Sequence, residues 1–301
     1  MSYELALNHE LAPATRVAAR ERLEKGVAVL REEKADDPVD AVHQARKEVK
    51  KSRSLLRLVR PALGDRVYRR ENRTLRDAAR TVAHVRDADV MVETVDALHE
   101  RFAGQLPEKS YEKLRGRLAK DAEQSRGQVS GELGGELTEG LRAVERRIDC
   151  WPLDDAGWSV AREGISRAYR RGRRAFAKAD AEPTTENLHE LRKRVKDLWY
   201  QERLLRPAWP AVLGAQADEA HSLSDLLGDD HDLAVLAERL RDEPPTDEAD
   251  AVLGLIEQRR DELLGQIRAL GRRVYAEKPK PFRRRLSRYL RCAEAADPVP
   301  G

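Results

Sequence analysis

Residues His43–Pro61 read HQARKEVKKSRSLLRLVRP, and residues His189–Pro207 read HELRKRVKDLWYQERLLRP. The second stretch repeats the first at an offset of 146 residues and keeps its histidine, basic pairs, valine, lysine, arginine and closing Arg-Pro. In a chain of 301 residues, a duplication near the midpoint predicts two similar halves. We place them at residues 1–148 and 149–301, with both halves forming one compact unit.

Each copy is predicted to be an amphipathic helix, because its apolar and basic residues separate at about 100° per residue. One face of the first copy carries His43, Arg46, Lys47, Lys50, Arg53, Ser54 and Arg57, and the matching face of the second carries His189, Arg192, Lys193, Lys196, Tyr200 and Arg203. The opposite faces are predicted to meet the core through Val42, Ala45, Val49, Leu56 and Val59, and through Leu188, Leu191, Val195, Leu198 and Leu205.

The composition favours an all-α fold. Hydrophobic residues make up 40% of the chain and charged residues 37%, whereas aromatic residues make up only 5%. Amphipathic helices with heavily charged outer faces fit this balance better than a sheet core, which is rich in β-branched and aromatic residues. Because 57 basic residues oppose 54 acidic ones, a site for an anion must come from local segregation of charge.

The remaining pattern predicts further helices and their ends. The pair Asp36-Asp37 before Pro38 and the run Glu182–Thr185 are predicted to cap the two motif helices. A helix from Arg66 to about Ala83 carries a second basic stripe, made of Arg66, Arg69, Arg70, Arg73, Arg76 and Arg80. We expect short connections at 84–90 and 228–235, with Asp87 and Asp232 capping the helices that follow. Residues 127–140 are expected to be weakly helical at best and to lie near the boundary between the halves, with residues 141–148 still packing on the first half.

A basic stripe on a helix is often only a solvated surface, but like charges at i and i+4 repel and are eased by a counter-anion. Phosphate is the natural one, since arginine offers bidentate donors and lysine a mobile charge. A stripe that repeats at each helical turn fits successive groups of a linear polyanion. The leading histidines either donate to phosphate or orient their helices. As metal ligands they are disfavoured by the neighbouring arginine and lysine.

Other classes of function find little support in the sequence. A glycine-rich phosphate loop, a zincin motif, a nucleophile elbow and a kinase signature are all missing, so we expect neither an enzyme nor a cofactor. Aromatic residues are too sparse along the stripes for reading nucleic acid. With no apolar run of about 18 residues and no export signal, we expect a cytoplasmic protein without membrane contact, in which Cys150 and Cys292 are reduced thiols.

The chain resembles the CHAD family, the conserved histidine α-helical domain. The resemblance lies in His43-x-x-Arg46-Lys47-x-x-Lys50 with Arg53 and Arg57, in Arg86-Asp87-x-Asp89-Val90, and in His189-x-x-Arg192-Lys193-x-x-Lys196 with Arg203, and it extends from about Tyr3 to about Cys292. It implies two helical bundles related by a pseudo-two-fold axis. Their histidine-headed basic helices would line a central cationic cavity that binds inorganic polyphosphate, and some relatives are associated with intracellular polyphosphate granules.

The resemblance has departures. Ala83 stands where the second half has Gly228, His231 replaces the arginine of the Arg-Asp pair, and Trp199 stands opposite Arg53, so the two sides of the site need not bind equally. Some relatives carry a triphosphatase-like tunnel domain with a Glu-x-Glu-x-Lys strand, which this chain lacks. This departure argues against phosphohydrolase activity.

We therefore expect a polyphosphate-binding protein that is targeted to granules or regulates them. The alternatives are a phosphohydrolase or transferase acting on polyphosphate or a nucleotide, and a nucleic-acid-binding protein. The expected binding residues are His43, Arg46, Lys47, Lys50, Arg53, Arg57, Arg69, Arg73, Arg76, His189, Arg192, Lys193, Lys196 and Arg203.

Overall fold

The computed structural model describes residues 3–32, 38–127, 131–242 and 246–295. These residues form α-helices joined by short connections, together with two 3-10 helices at Ile148–Cys150 and Arg206–Ala208, and they contain no β-strand. The predicted all-α class is confirmed. The α-helices are α1 (Leu11–Glu32), α2 (Pro38–Leu58), α3 (Arg60–Arg80), α4 (Ala83–Arg101), α5 (Glu108–Gly127), α6 (Gly131–Glu145), α7 (Ser159–Ala181), α8 (Thr185–Leu205), α9 (Pro210–Asp242), α10 (Asp247–Val274) and α11 (Pro279–Ala295).

The two motif helices, α2 and α8, form where the sequence predicts them. Every residue assigned to their core faces is buried, from Val42 to Leu56 in α2 with Val59 just beyond its end, and from Leu188 to Leu205 in α8. The backbone N–H of Asn187 donates to Thr184 Oγ1 at 3.2 Å, so the predicted cap of α8 is present. The predicted cap of α2, Asp36-Asp37, lies outside the described residues.

The motif helices pack against each other and not only against their own halves. Ser54 Oγ donates to the backbone carbonyl of Asp197 at 3.4 Å, and both Ser54 and Tyr200 are buried. The sequence placed these two residues on exposed basic faces. Ser54 is buried where α2 meets α8, and Tyr200 is buried against Tyr3. The contact between α2 and α8 brings cations of both helices into one region.

Helix α7 also approaches α2 closely. A Cβ atom added to Gly164 of α7 would lie 2.0 Å from the carbonyl oxygen of Leu58, so only glycine allows this approach. Gly64 interrupts α3, because its backbone angles, φ 68° and ψ 163°, are not helical. Gly64 therefore separates Arg60 from the arginine-rich part of α3.

Neither predicted connection is a loop. Helix α4 begins at Ala83, and α9 runs unbroken over 33 residues from Pro210 to Asp242. Asp232 therefore lies within a helix, not at its N-cap, and Asp87 lies inside α4 with its side chain outside the described residues. Gly228 disfavours a helix by about 1 kcal/mol. Burial of the residues around it outweighs this cost, since Leu227 and Leu233 are almost fully buried.

The glycine-containing segment after α5 also differs from the expectation. Residues 131–145 form α6, which packs on α1 and α3 through the buried side chains of Leu137, Leu141 and Val144. Its glycines permit close packing, since a Cβ on Gly140 would lie 2.4 Å from the Cβ of Ala78. The boundary between the halves, which we place after residue 148, stays a prediction.

Candidate anion-binding site

The centre of the candidate site is a pair of lysines, Lys50 of α2 and Lys196 of α8. They are equivalent positions of the sequence repeat. Burial and, after it, the positive charges of Lys196, Arg46, Arg192 and Lys47 together lower the pKa of Lys50 to about 7. Lys50 is nevertheless an exposed residue, so the surrounding protein removes only part of its hydration.

Lys196 responds to the same surroundings more weakly. Burial lowers its pKa to about 8, Arg192 adds to the effect, and the carboxylates of Asp225 and Asp232 on α9 oppose it. Because the two lysines interact, they titrate as a coupled pair and not independently. We call Arg46, Lys47, Lys50, Arg192 and Lys196 the basic cluster.

Arginines complete the cluster on both sides. Arg192 lies over Gly228, where an added Cβ would be 3.2 Å from its terminal nitrogen Nη2. Its Nε is buried and makes no hydrogen bond. Arg46 Nη1 donates to the carbonyl oxygen of Val82 at 3.4 Å, at the junction of α3 and α4. The site thus draws on α2, α8 and the elements packed against each of them.

The histidine of the second copy is uncharged at neutral pH. Burial lowers the pKa of His189 to about 4, with His231, Lys193 and Arg192 adding to the effect. Its ring lies 4.4 Å from that of His231, centre to centre, with the planes 34° apart. The Nδ1 atom of His189 is buried and has no hydrogen-bond partner. The other ring nitrogen, Nε2, is therefore the one that could donate to an anion. His43 is half-buried at the corresponding place in α2.

The predicted metal alternative gains nothing from the structure. Among residues 3–32, 38–127, 131–242 and 246–295, no group of three or more His, Cys, Asp or Glu side chains could hold a metal ion. The paired rings of His189 and His231 lie beside the cations Lys193 and Arg192, which oppose a further positive charge.

The C-terminal part of α2 continues the basic surface, but its cations are already engaged. Arg57 pairs with Asp197 of α8 at 2.9 Å, an ion pair that joins the two motif helices. Arg53 donates to the amide oxygen of Asn72 at 3.0 Å. Burial lowers the pKa of Arg53 to about 10, and the charges of Arg57 and Arg76 act in the same direction. Arg76 itself pairs with Asp77 at 2.8 Å.

Four predicted site residues lie away from the basic cluster or at its edge. Arg69 is exposed and pairs with Asp65 at 3.3 Å, and Arg73 of the same helix is exposed. Lys193 is exposed beside His189, with its Nζ 4.0 Å from a carboxylate oxygen of Glu190. Arg203 packs over the rings of Tyr3 and Trp199, at 5.8 and 5.7 Å from their centres.

This placement makes the site unequal on its two sides. On the C-terminal side of Lys196, α8 is covered by the N-terminal segment, residues 3–10. Leu5 N–H donates to the carbonyl oxygen of Leu204 at 2.8 Å, and Tyr3 is buried against Tyr200. Beyond Lys50, arginines of α2 and α3 follow. The sequence predicted inequality from Trp199 standing opposite Arg53, and the N-terminal segment accentuates it.

Two arginines near Asp197 were not among the predicted site residues. Arg194 reaches the carboxylate of Asp197 at 3.4 Å and that of Glu190 at 2.5 Å. Burial lowers the pKa of Arg171 in α7, and the nearby charge of Arg194 lowers it further. Arg171 belongs to an arginine-rich run in the sequence, but only the packing of α7 shows which of those arginines approaches α8.

Along the described part of the chain, no helix has both the length and the apolar character needed to cross a bilayer. Cys150 and Cys292 are both exposed, and neither forms a disulfide.

Comparison with known proteins then places the chain. A family model described as CHAD domain matches residues 17–241. A crystal structure of the CHAD domain from the plant Ricinus communis is similar, with a TM-score of 0.56 over 93% of this chain and 95% of that chain. At 18% sequence identity this similarity shows a shared fold alone. No curated protein matches the sequence.

Proposed function

The chain belongs to the CHAD domain family, and on that premise we propose that it binds inorganic polyphosphate at the basic cluster. One observation carries the proposal. Lys50 and Lys196, from the two copies of the motif, lie so close that the charge of Lys196 helps to lower the pKa of Lys50 to about 7. A fold that gathers cations in this way is destabilised by their repulsion until an anion enters.

A linear polyphosphate suits the cluster better than a single small anion. The cations repeat at intervals of about one helical turn, roughly 5.4 Å, so that successive phosphates can each meet a different side chain. Arg46 and Arg192 can donate two hydrogen bonds to one phosphate, and the two lysines supply compact charges between them. Because the attraction is largely Coulombic, binding should weaken as the salt concentration rises.

We assign the cluster to binding without catalysis. Lysine and arginine hold phosphate, but hydrolysis also needs a positioned nucleophile and a general base. The alternative is a phosphohydrolase or transferase. Incubating the pure chain with polyphosphate and Mg²⁺ or Mn²⁺ separates the two, since a binding protein releases no phosphate and leaves the length distribution of the polymer unchanged.

The central experiment is a titration with polyphosphates of several chain lengths. The variant Arg46→Glu, Lys50→Glu, Arg192→Glu, Lys196→Glu should bind at least about 100-fold more weakly. Four attractive charges become repulsive, and each charge-assisted hydrogen bond to phosphate contributes about 1–3 kcal/mol. The control variant Arg283→Glu, Arg284→Glu reverses two exposed arginines of α11 and should bind as the natural chain does.

Circular dichroism must show that both variants remain helical. If the cluster variant is folded and still binds long polyphosphate with unchanged affinity, the proposal is wrong. A competition experiment addresses the nucleic-acid alternative: unlabelled polyphosphate should displace DNA or RNA at low concentration if the cluster is fitted to a thin, flexible chain.

In the cell, this proposal implies a cytoplasmic protein that associates with polyphosphate granules. A fluorescent fusion should mark granules, and the same fusion carrying Lys50→Glu and Lys196→Glu should be diffuse. Granules of normal number and size in cells without the protein would favour targeting over regulation.

A further inference from the structure

The second motif helix buries polar groups that the first lacks. Gln201 and Glu202 of α8 stand where α2 has Leu55 and Leu56, and the exposed fractions of the four residues are 1%, 4%, 0% and 1%. The fold therefore does not require a carboxyl group at this position. Both Glu202 Oε2 and Gln201 Oε1 are buried without a hydrogen-bond partner. Leaving such groups unpaired is costly, so their presence calls for an explanation.

A cavity of about 410 Å³ lies against Glu202, on the side of α8 that faces α7, α9 and α11. Small-molecule sites commonly have volumes of about 300–1,000 Å³. The wall includes the rings of Tyr169 and Phe282, which are stacked at 3.8 Å between centres and nearly parallel. Glu219 and Glu277 also line the cavity.

Two arginines line the same cavity, but they do not make it a site for an anion. Arg285 donates to Glu277 at 2.8 and 3.1 Å, so its charge is already balanced. Arg273 is exposed at the end of α10. With Glu202 neutral, the carboxylates of Glu219 and Glu277 balance the two guanidinium groups, so the lining offers an anion no net attraction.

We propose that this cavity binds a small organic amine, whose ammonium group donates a hydrogen bond to the carboxyl group of Glu202 while its carbon chain lies against Tyr169 and Phe282. A charge-assisted bond of this kind stabilises the ionised carboxyl group inside the protein, and the two rings offer apolar surface to the carbon chain. A metal ion fits less well, because the described residues provide no group of three ligating side chains.

Binding of the amine is linked to a proton. Burial raises the pKa of Glu202 to about 8, and Arg285 opposes the rise. Without a ligand at pH 7, Glu202 is therefore mostly a neutral carboxylic acid. When the ammonium ion binds, the carboxyl group loses its proton to solvent and the amine keeps its own, so that one positive charge enters and one proton leaves.

The other titratable groups around the cavity do not share this behaviour. Burial raises the pKa of Tyr275 well above its usual value and that of Tyr169 to about 12, so both phenols stay neutral near pH 7. Glu277 is held by Arg285, and Glu219 is exposed on α9. The proton released near neutral pH is thus expected to come from Glu202.

The test is calorimetric titration of the full chain with n-butylamine, and with n-butanol as its uncharged analogue. In buffers of different ionisation enthalpy, butylamine binding at pH 7 should release about 0.9 proton, and its affinity should rise about tenfold from pH 7 to pH 9. Butanol should not bind detectably. The variant Glu186→Gln, at an exposed position of the same helix, should behave as the natural chain does.

Two substitutions separate a ligand site from a merely buried acid. Glu202→Gln keeps the shape of the side chain but should abolish butylamine binding and the proton release. Glu202→Leu restores the residue of the first copy, so it should fold, lose binding, and be more stable than the natural chain. The inference is overturned if butylamine gives no binding heat at about 10 mM, where even millimolar affinity would be detected. It also fails if Glu202→Gln still binds with the same proton release.

Discussion

Polyphosphate binding should weaken as pH rises, because the two central lysines are partly deprotonated in the free protein. With pKa values of about 7 for Lys50 and about 8 for Lys196, the pair carries about one proton at pH 7.5 where two would fit. Phosphate oxygens favour the charged form and should return both pKa values toward their usual range. Binding then takes up about one proton at pH 7.5.

The size of the effect follows from these pKa values. If both lysines are fully protonated in the complex, affinity falls about 100-fold between pH 6.5 and 8.5. Solvent screening at Lys50 reduces the coupling, so we expect a loss of about tenfold to 100-fold. His189, with its pKa of about 4, is neutral over the whole range and does not contribute.

The measurement is an affinity titration with long-chain polyphosphate at pH 6.5, 7.5 and 8.5 and constant ionic strength, since the polymer has few terminal groups that titrate in this range. The variant Lys50→Arg, Lys196→Arg should bind with little dependence on pH, because guanidinium groups do not titrate there. An affinity that is constant or increases with pH in the natural chain would refute the reasoning, as would an unchanged slope in the arginine variant.

Three further substitutions test the packing around the site. Gly228→Ala should leave stability unchanged or raise it by up to about 1 kcal/mol through helix propensity, as measured by urea unfolding. The new Cβ should also displace Arg192 and weaken polyphosphate binding about threefold, as measured by titration. Asp197→Asn should lower the free energy of unfolding by about 2 kcal/mol because it breaks the pair with Arg57, measured by urea unfolding at low salt. Gly164→Ala should cost about 3 kcal/mol, because its Cβ would overlap the carbonyl oxygen of Leu58 and push α7 away from α2, measured in the same way.

Each of these predictions has a matched control or a clear contrary result. Gly116→Ala changes a glycine of α5 with no atom within 4 Å of the new Cβ, so it should not destabilise the chain. If it costs as much as Gly164→Ala, close packing is not the cause. For Gly228→Ala, unchanged binding would show that Arg192 moves aside without loss. Asp197→Asn should keep most of its effect at 1 M salt, because Asp197 is buried and salt screens a buried pair little; loss of the effect at 1 M salt would contradict a buried ion pair.

The sequence was sufficient for the motif helices and for their inner faces. Helical periodicity placed Val49 and Val195 in the core, and both are almost completely buried. Such predictions succeed because burial of an apolar stripe stabilises the helix that carries it. The short connections predicted at 84–90 and 228–235 were wrong for a related reason. Local signals such as Gly228 are worth about 1 kcal/mol, and tertiary packing of a long helix like α9 easily outweighs them.

The same distinction holds for the site. The repeat alone shows which residues are cationic and which of them share a helix face, because charge and helical spacing are properties of one segment. Which of those cations meet is decided by how α2 and α8 cross. That crossing places Lys50 near Lys196 and pairs Arg57 with Asp197. Arg203 instead packs over the ring of Tyr3. Coulombic interaction and desolvation depend on distances between segments, so only the tertiary structure determines which basic residues lose hydration and need an anion.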